Sequence, residues 1–323
     1  MRVGLTLPFE HFELGRLPQL LARAEDLGYT DAWSYERNVF DAFSPLAAAA
    51  VTTRTMRLGT SIVPAFTRPA GLVAMSAAAI AELAPGRFVL GIGSSTEAIV
   101  GGWMGLQFSG PVTRVRESLV AVRSLLQGKR VGSMRLHRPP ECPVPIYVAA
   151  LGPRMLRLAG ELADGAVFFL AGPAIIPSLL AAIGNGIDSV ARVIVVAGAH
   201  HDANLSFARR FIAGYAILPF YGRFLRRQGF ASEVDAVEAR WRSGDRQGAV
   251  EEVSDEMAQE LMLLATDPCL QQRMARYAAA GLGVLDLWFM SPAVDQEQRR
   301  RDTEQGLVAM APSRRARSEA SST

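Results

Sequence analysis

"LGTSIVPAFTRPAGLVAMSAAAIAELAPGRFVLGIGSSTEAIVGGWMG", residues 58–105, is the stretch that decides the fold. An apolar run ends at Pro64, an Ala-rich helical stretch covers residues 70–83, and a second apolar run covers residues 88–92. A strand, a helix and a strand of these lengths are typical of a βαβ unit, in which the two strands lie parallel. The stretch therefore predicts part of a parallel sheet that is covered by helices.

The same alternation continues on both sides of this stretch. Strand-like runs centre near residues 4, 32, 60, 90, 147, 166, 193 and 286. Helical stretches separate them, and residues 204–277 are helical in pattern almost throughout. Eight strands that alternate with helices predict an α/β fold of the (β/α)8 TIM-barrel type, with a helical insertion at about 204–277 before the last strand. A doubly wound parallel sheet is the alternative fold.

Hydrophobic periodicity gives the bounds of these elements. Strands are predicted at 2–7, 31–35, 56–64, 88–92, 146–149, 164–169, 189–197 and 284–289. Helices are predicted at 14–27, 44–53, 70–83, 112–126, 154–162 and 174–183. Two helix ends have similar sequences, EDLGYTDAW and GELADGAVF, and each indicates a glycine C-cap, at Gly28 and at Gly165.

The chain is predicted to form one domain followed by a tail. Residues 1–292 are expected to form the barrel domain, and residues 293–323 are polar and rich in arginine. The tail has the pattern of one short helix to about Met310, and residues 311–323 have the composition of a disordered end.

Composition and charge exclude several classes of protein. Of the 323 residues, 50% are hydrophobic and 20% charged, as in soluble globular proteins. The net charge of +3 comes from arginines scattered among acids, which does not indicate a nucleic-acid groove. No apolar run approaches the ~20 residues of a membrane span, and the N-terminus lacks the apolar segment of a secretion signal. Cys142 and Cys269 have no ligand spacing, which predicts buried or half-buried free thiols, no metal site and a cytoplasmic protein.

The glycine-rich turn after the fourth predicted strand resembles a nucleotide-binding loop. The dinucleotide fingerprint G-x-G-x-x-G has a third glycine and opens the first βα unit of its fold. Here the run from Gly91 to Thr96, GIGSST, lacks the third glycine and follows the fourth strand. A dinucleotide is therefore rejected. The glycines either relieve crowding at a strand end or make room for a ring-shaped ligand.

Several segments resemble one family of enzymes. They are YTDAWSYE, DAFSPLAAAAVTTRTMRLGT, VPIYVAALGPRMLRLAGELADGAVF, GYAILPFYGRFLRRQGF and the stretch quoted first, and together they cover most of residues 1–292. These segments are similar to the luciferase-like superfamily of flavin-dependent oxidoreductases, and within it to the branch that uses the deazaflavin coenzyme F-420. The resemblance implies a (β/α)8 barrel that holds a flavin-like ring at the carboxyl end of its sheet.

The resemblance also implies which residues hold this ring. Family members commonly have a non-prolyl cis peptide after the third strand, and the equivalent bond here is Ser61–Ile62. Ile62 would then support one face of the ring while the other face stays open to substrate. The cofactor-binding residues expected on this basis are Thr60, Ser61, Ile62, Gly93, Ser94, Ala150, Leu151, Gly152, Arg154 and Gly165.

A cofactor phosphate needs hydrogen-bond donors, and the segment after the fifth strand offers them. The run Leu151-Gly152-Pro153-Arg154 opens a predicted helix, so it combines backbone N–H groups, the helix dipole and a guanidinium. Pro153 suits the first helical turn, because the N–H that it lacks has no partner there. The alternative is a helix start that binds no ligand.

Two residues at the end of the second strand are candidates for catalysis. Relatives that use the deazaflavin often have an acid at the position of Glu36, where it contacts the coenzyme or donates a proton. Glu36 or the neighbouring Tyr35 could supply the proton that accompanies hydride transfer. The alternative for Glu36 is a loop residue that is solvated or paired with Arg37.

The sequence departs from the family at one position. Many relatives in the deazaflavin branch read Trp-His-Gly where this chain has Trp103-Met104-Gly105. The methionine indicates either altered chemistry or a wider apolar substrate pocket, lined by Trp103 and Met104. The alternative for Trp103 is packing in the core. The four histidines lie elsewhere, at His11, His137, His200 and His201.

These observations predict hydride transfer between reduced F-420 and a small organic substrate with a C=C, C=N or alcohol/carbonyl group. An FMN-dependent monooxygenase of the two-component type is one alternative, and a cofactor-binding paralogue without activity is another. The expected partners are the substrate, a flavin or F-420 reductase that supplies reduced cofactor, and a second copy of the chain in a homodimer. No nucleic-acid or membrane partner is expected.

Overall fold

The computed structural model describes residues 1–312 of the 323-residue chain. The expectation of a disordered end from residue 313 onward lies outside the described residues. Within residues 1–312, no helix is both long enough and apolar enough to cross a membrane. Cys142 and Cys269 are free thiols, as predicted, but both are exposed, so their predicted burial is wrong.

Strands and helices alternate along the described chain. The strands are β1 (Arg2–Leu7), β2 (Asp31–Ser34), β3 (Arg57–Thr60), β4 (Val63–Pro64), β5 (Phe88–Gly93), β6 (Ile146–Ala149), β7 (Gly165–Phe169), β8 (Asp188–Val196), β9 (Met262–Leu264) and β10 (Val284–Met290). The α-helices are α1 (Leu17–Leu27), α2 (Phe43–Thr52), α3 (Ala70–Leu83), α4 (Pro111–Leu126), α5 (Pro153–Leu162), α6 (Ile176–Ile183), α7 (His201–Ala216), α8 (Pro219–Arg227), α9 (Ala231–Arg242), α10 (Arg246–Glu251), α11 (Asp255–Leu261), α12 (Leu270–Ala279) and α13 (Gln296–Ala309). A 3-10 helix precedes α1, and a π-helix at Ala98–Trp103 follows β5.

Amphipathic spacing explains the first helix and its end. Helix α1 buries Leu17, Leu20, Leu21 and Ala24, which recur at three- and four-residue spacing on one face. The helix ends at Gly28, whose φ of 102° lies in the left-handed region that favours glycine. The predicted C-cap at Gly28 is therefore confirmed.

The predicted C-cap at Gly165 is wrong. Helix α5 ends at Ala163 in an extended conformation, and Gly165 is the first residue of β7. A Cβ at Gly165 would lie 2.5 Å from the ring of Tyr147. Packing against a residue distant in sequence therefore requires this glycine, and a local repeat of sequence does not reveal such packing.

Two strands depart from the predicted pattern. The run 56–64 is divided into β3 and β4, because the chain bulges at Ser61–Ile62. Strand β9 interrupts residues 204–277, which were expected to be helical almost throughout. A short apolar run such as Met262–Leu264 cannot be distinguished from part of a helix by periodicity alone.

The described chain has two compact units. The N-terminal unit consists mainly of Arg2–Phe168 and Ala181–Val190. In it β1, β2, β3, β5, β6 and β7 are successive parallel neighbours, and β4 pairs with β5. Leu7 is level with Ser34, and Ser34 with Thr60, so the carboxyl ends of β1, β2 and β3 are aligned.

The C-terminal unit consists mainly of Phe169–Leu180 and Ala191–Met310. In this unit β8 pairs in parallel with β9 and also pairs with β10. Helices α7 to α12 form the helical block, and α13 confirms the predicted short helix before Met310. The fold class is the predicted (β/α)8 barrel, in which the loops after the carboxyl ends of the strands carry the chemistry.

A charged cluster lies at the amino ends of the strands in the N-terminal unit. Arg57 Nε donates to Asp31 Oδ1 at 2.6 Å, and Arg57 Nη1 donates to Asp188 Oδ2 at 3.0 Å. The Tyr147 hydroxyl donates to Asp188 Oδ2 at 2.6 Å. Because this end of a barrel serves stability rather than catalysis, we interpret the cluster as structural.

Acid is expected to weaken this cluster. Burial disfavours the charged form of Asp188, but the hydrogen bond from Tyr147 and the charges of Arg2 and Arg57 outweigh it and lower its pKa to about 2. Since the pKa is lower in the folded than in the unfolded state, the stabilisation is complete above about pH 4 and is lost as the pH falls towards 2, by about 2 kcal/mol. Urea unfolding of wild type and Asp188→Asn across this range should show a smaller loss of stability in the variant. Equal losses would contradict the expectation.

Candidate active site

The chain bulges at the carboxyl end of β3. The Ser61–Ile62 peptide bond is cis, which confirms the expectation from the family resemblance. The Ser61 N–H donates to the Ser34 carbonyl at 2.6 Å, and the Glu36 N–H donates to the Ile62 carbonyl at 3.3 Å. These two bonds fix the bulge against the end of β2.

The bulge explains both glycines of β5. A Cβ at Gly91 would lie 2.0 Å from the Thr60 carbonyl oxygen. A Cβ at Gly93 would lie 2.8 Å from the Ile62 side chain and 3.0 Å from the Ala149 Cβ. Gly91 therefore relieves crowding within the sheet, whereas Gly93 leaves room beside the half-buried side chain of Ile62.

Two buried hydroxyl groups next to the bulge have no hydrogen-bond partner within residues 1–312. They are Ser34 Oγ and Ser61 Oγ, on residues that are 0% and 5% exposed. An unsatisfied buried hydroxyl costs about 1–3 kcal/mol, so this pair suits a site where a ligand supplies the missing polar atoms. The neighbouring Thr60 differs, because its Oγ1 donates to the Gly91 carbonyl at 2.8 Å and accepts from the Gly91 N–H at 2.7 Å.

Glu36 is paired with an arginine other than the expected Arg37. Arg68 Nε donates to Glu36 Oε1 at 3.0 Å and to Oε2 at 2.7 Å, and Arg68 Nη2 lies 2.7 Å from Oε2. The Ala42 N–H donates to Glu36 Oε2 at 3.4 Å. Every one of these bonds is accepted by the carboxylate. Glu36 therefore joins the loop after β2 to the loop before α3, and both of its oxygens accept hydrogen bonds from Arg68.

Tyr35 has a carboxylate partner that the sequence analysis missed. The Tyr35 hydroxyl donates to Glu10 Oε1 at 2.6 Å. Tyr35 is 6% exposed and Glu10 is half-buried. Glu10 follows β1 and Tyr35 follows β2, so the aligned ends of these two strands bring the pair together. The acid three residues beyond a predicted strand was the available signal.

Helix α5, at whose start the phosphate was expected, begins at Pro153. Gly152 is its N-cap residue, no side chain caps the N-terminus, and Pro153 occupies the first turn. Gly152 is half-buried and Arg154 is exposed, whereas Leu151 and Ala150 are buried. The Ala150 N–H donates to the Val167 carbonyl at 3.0 Å. Gly152 and Arg154 thus lie at a helix N-terminus that no side chain caps, whereas Ala150 joins β6 to β7.

The loop after β5 leads into the π-helix Ala98–Trp103. Ser94 Oγ donates to the Ser95 carbonyl at 3.2 Å, and Ser95 has a φ of 60°, which is uncommon for serine. Trp103 is 48% exposed and Met104 is 46% exposed. Trp103 is therefore not a core residue, and both side chains are exposed. Gly165 is not near this loop, since it starts β7 against Tyr147.

An aromatic cluster in the C-terminal unit was also missed. The ring of Phe169, the last residue of β7, has its centroid 5.5 Å from Tyr215, 6.0 Å from Tyr221 and 6.1 Å from Trp288. Phe211 stacks on Tyr215 at 4.9 Å. Phe169 and Trp288 belong to the carboxyl-terminal halves of their strands, where barrel enzymes bind ligands. The sequence shows aromatic residues at four-residue spacing on α7, at Phe207, Phe211 and Tyr215. Such spacing more often indicates packing in the hydrophobic core than a ligand site.

The chain matches an established family. The family model for luciferase-like monooxygenases matches residues 1–283. A Mycobacterium tuberculosis protein, provisionally assigned as a coenzyme F420-dependent oxidoreductase, is 27% identical over 88% of this chain and 95% of its own. The 5,10-methylenetetrahydromethanopterin reductase of Archaeoglobus fulgidus is 27% identical over 80% of this chain and 85% of its own. The chain belongs to the luciferase-like family, and it is an enzyme of the oxidoreductase class.

A solved structure shares the fold. The coenzyme F420-dependent tetrahydromethanopterin reductase of Methanopyrus kandleri has a TM-score of 0.72 to this chain at 20% identity, and the match covers 96% of this chain and 97% of the other. At this identity the likeness shows the (β/α)8 barrel fold alone.

Proposed function

We propose that this protein transfers hydride between the deazaflavin coenzyme F420 and a small organic substrate. The observation that carries the proposal is the Ile62 bulge beside Gly93, flanked by two buried serine hydroxyls without partners in the described chain. The relatives named for coenzyme F420 and for methylenetetrahydromethanopterin reduction support this choice.

The residues present fit such a coenzyme. Ile62 would support one face of the ring, Gly93 leaves room beside it, and the Ser34 and Ser61 hydroxyls would donate to its polar edge. Gly152 and Arg154 would bind a phosphate at the uncapped start of α5. Bound there, F420 would supply a partner that accepts or donates hydride.

Hydride transfer also needs a group that handles a proton. We assign this role to Tyr35, because its hydroxyl is hydrogen-bonded to the carboxylate of Glu10. Glu36 as a catalytic acid stays a prediction, since both of its oxygens accept bonds from Arg68. Trp103 and Met104 are proposed to contact the substrate, in keeping with their exposure.

Turnover assays with two coenzymes test the proposal. We expect the absorbance of F420 to change when the protein is incubated with alcohols, enones, imines or the corresponding reduced compounds. The second candidate, a two-component FMN monooxygenase, is favoured by the name of the matching family. It predicts consumption of oxygen when reduced FMN is supplied by a reductase. Oxygen uptake without any reaction of F420 would overturn the proposal, and tight F420 binding without turnover would favour an inactive paralogue.

We also propose a cytoplasmic homodimer. Apolar side chains are exposed on three helices of the N-terminal unit: Val51 on α2, Leu72, Met75 and Leu83 on α3, and Val120 on α4. Helix α3 contacts both α2 and α4, and exposed apolar side chains on neighbouring helices are typical of a subunit interface. Light scattering should give twice the mass of the chain, and Met75→Glu should shift it to the monomer, whereas Val294→Glu, at an exposed residue outside these helices, should not. A monomeric wild type would contradict the proposal.

A further inference from the structure

The segment that contains the bulge is attached at both ends to one residue, Glu36. At one end, the Glu36 N–H donates to the Ile62 carbonyl at 3.3 Å. At the other end, Arg68 Nε donates to Glu36 Oε1 at 3.0 Å and to Oε2 at 2.7 Å, and Arg68 Nη2 lies 2.7 Å from Oε2. Residues 62–68 are thus closed into a ring, through the backbone of Glu36 and through its side chain.

The guanidinium of Arg68 is held both at its edge and on its face. Its edge meets the carboxylate of Glu36, and Asp41 Oδ1 lies 3.7 Å from Nη2. Its face lies over the ring of Phe43, with Cζ 5.4 Å from the ring centroid. The side chains of Arg68 and Glu36 are only 18% and 11% exposed, so water screens this pair less than it screens a surface ion pair. These contacts together fix one orientation of the guanidinium.

The carboxylate of Glu36 is occupied by donors from two neighbouring segments. Besides Arg68, the Thr67 hydroxyl donates to Oε1 at 3.3 Å and the Ala42 N–H donates to Oε2 at 3.4 Å. Two donor groups therefore face each oxygen, and a carboxylate oxygen offers about two lone-pair positions. A ligand that contacted this carboxylate would have to displace one of these donors. The arrangement suits a residue that holds its neighbours in place.

The ring of residues 62–68 is also attached to β5, where the coenzyme site is proposed. The Ala65 N–H donates to the Gly93 carbonyl at 2.8 Å, and Arg114 Nε donates to the Ala65 carbonyl at 3.1 Å. A Cβ at Gly93 would lie 2.8 Å from Ile62 Cγ1, so the Ile62 side chain lies directly against β5. Because a short segment joins Ile62 to Arg68, a displacement of Arg68 would change how Ile62 packs on Gly93.

We propose, building on the proposed function, that Arg68 is a positioning residue for the coenzyme: acting through Glu36, it holds Ile62 where the deazaflavin ring packs. Neither Arg68 nor Glu36 has to touch the ring in this role. The position of Ile62 matters because a gap of about 0.5–1 Å already forfeits a quarter to a half of a dispersion contact. Loss of Arg68 should therefore weaken F420 binding and alter the surroundings of its ring.

Hydrogen exchange without coenzyme tests whether Arg68 holds the bulge. In Arg68→Gln the amides of Glu36, Ser61 and Ala65, which bond the bulge to its neighbours, should exchange at least about tenfold faster than in wild type. The amide of Ala150, which joins β6 to β7, should keep its rate. Unchanged rates around the bulge would overturn the proposal, and so would an equal acceleration at Ala150, which would indicate a general loss of stability.

Two further variants accompany this measurement. Arg116→Gln is the matched control, because it removes an arginine from an exposed ion pair with Glu161, between α4 and α5, and it should leave the exchange around the bulge unchanged. Arg68→Lys keeps the charge but loses the planar fork of donors, so it should show the same local acceleration to a smaller extent. If Arg68→Gln does not fold, Arg68→Lys decides the question by the same criteria.

F420 titration tests whether the held bulge serves the coenzyme. Arg68→Gln and Glu36→Gln should each weaken F420 binding by about tenfold and shift the absorption maximum of the bound ring. The double variant should bind about as weakly as either single variant, because both substitutions remove the same ion pair. Wild-type affinity and an unchanged spectrum in Arg68→Gln, despite faster exchange, would reduce Arg68 to a purely structural role and overturn the proposal.

Two other outcomes separate this proposal from related ones. Weaker binding in Glu36→Gln with wild-type binding in Arg68→Gln would overturn it, since Glu36 would then act on the coenzyme without Arg68. If wild type binds no F420, the proposed function fails and the role of Arg68 towards the coenzyme fails with it. The exchange experiment needs no coenzyme, so it still decides whether Arg68 holds the bulge.

Discussion

Replacing Gly91 with alanine is expected to destabilise the protein by about 3 kcal/mol or more. The new Cβ would lie 2.0 Å from the carbonyl oxygen of Thr60, on the neighbouring strand β3. Neither group can move away, because Thr60 Oγ1 already bonds both the N–H and the carbonyl of Gly91. Urea or thermal unfolding measures the loss.

Gly102→Ala is the matched control for this substitution. Gly102 is exposed, and a Cβ there would meet no atom within 4 Å. Its free energy of unfolding should stay within about 0.5 kcal/mol of wild type. If Gly91→Ala unfolds at the same denaturant concentration as Gly102→Ala, the described packing of β5 on Thr60 of β3 is incorrect.

Arg154→Ala is expected to weaken the binding of F420 by about 10- to 100-fold, because a hydrogen bond between charged groups contributes about 1.5–3 kcal/mol. Arg154 lies in the first turn of α5, whose N-terminus no side chain caps. Arg157, one turn further along the same helix and also exposed, provides the control. Fluorescence titration of the coenzyme measures both variants.

The control variant Arg157→Ala should bind F420 within about threefold of wild type, since the field of the helix N-terminus falls off within its first turn. Rising salt should weaken binding to wild type more than to Arg154→Ala, because the salt-sensitive contact is absent in the variant. If Arg154→Ala and Arg157→Ala bind F420 with equal affinity, the proposal that the coenzyme's phosphate binds at the start of α5 is wrong.

Most of the fold was predictable because each buried strand and each half-buried helix has its own pattern of apolar residues in the sequence. Eight apolar runs separated by amphipathic helices predicted the eight barrel strands, and the bounds of β1, β6 and α3 agree with the prediction. Strand β9 was missed, because three apolar residues after α11 continue a helical pattern. Gly165 was misread as a cap, because its true constraint is the Tyr147 ring from another strand.

The position of the candidate site at the strand ends was predictable from the sequence, but the hydrogen-bonded pairs of side chains within it were not. The order of the strands placed Tyr35, Ser61 and Gly93 at strand ends, and the family resemblance implied the cis bond that the structure has. No local pattern pairs Glu36 with Arg68, which is 32 residues away, or Tyr35 with Glu10, which is 25 residues away. Partners at such separations are set by which loops the aligned strands bring together.

The central claim is that the ends of β3 and β5 form the site of a deazaflavin. Titration of purified protein with oxidised F420 and, separately, with FMN tests it most directly through the fluorescence of each coenzyme. We expect saturable binding of one F420 per chain, weaker binding of FMN, and a loss of F420 affinity in Arg154→Ala but not in Arg157→Ala. Binding of neither coenzyme, or tighter binding of FMN that is indifferent to Arg154, would contradict the claim.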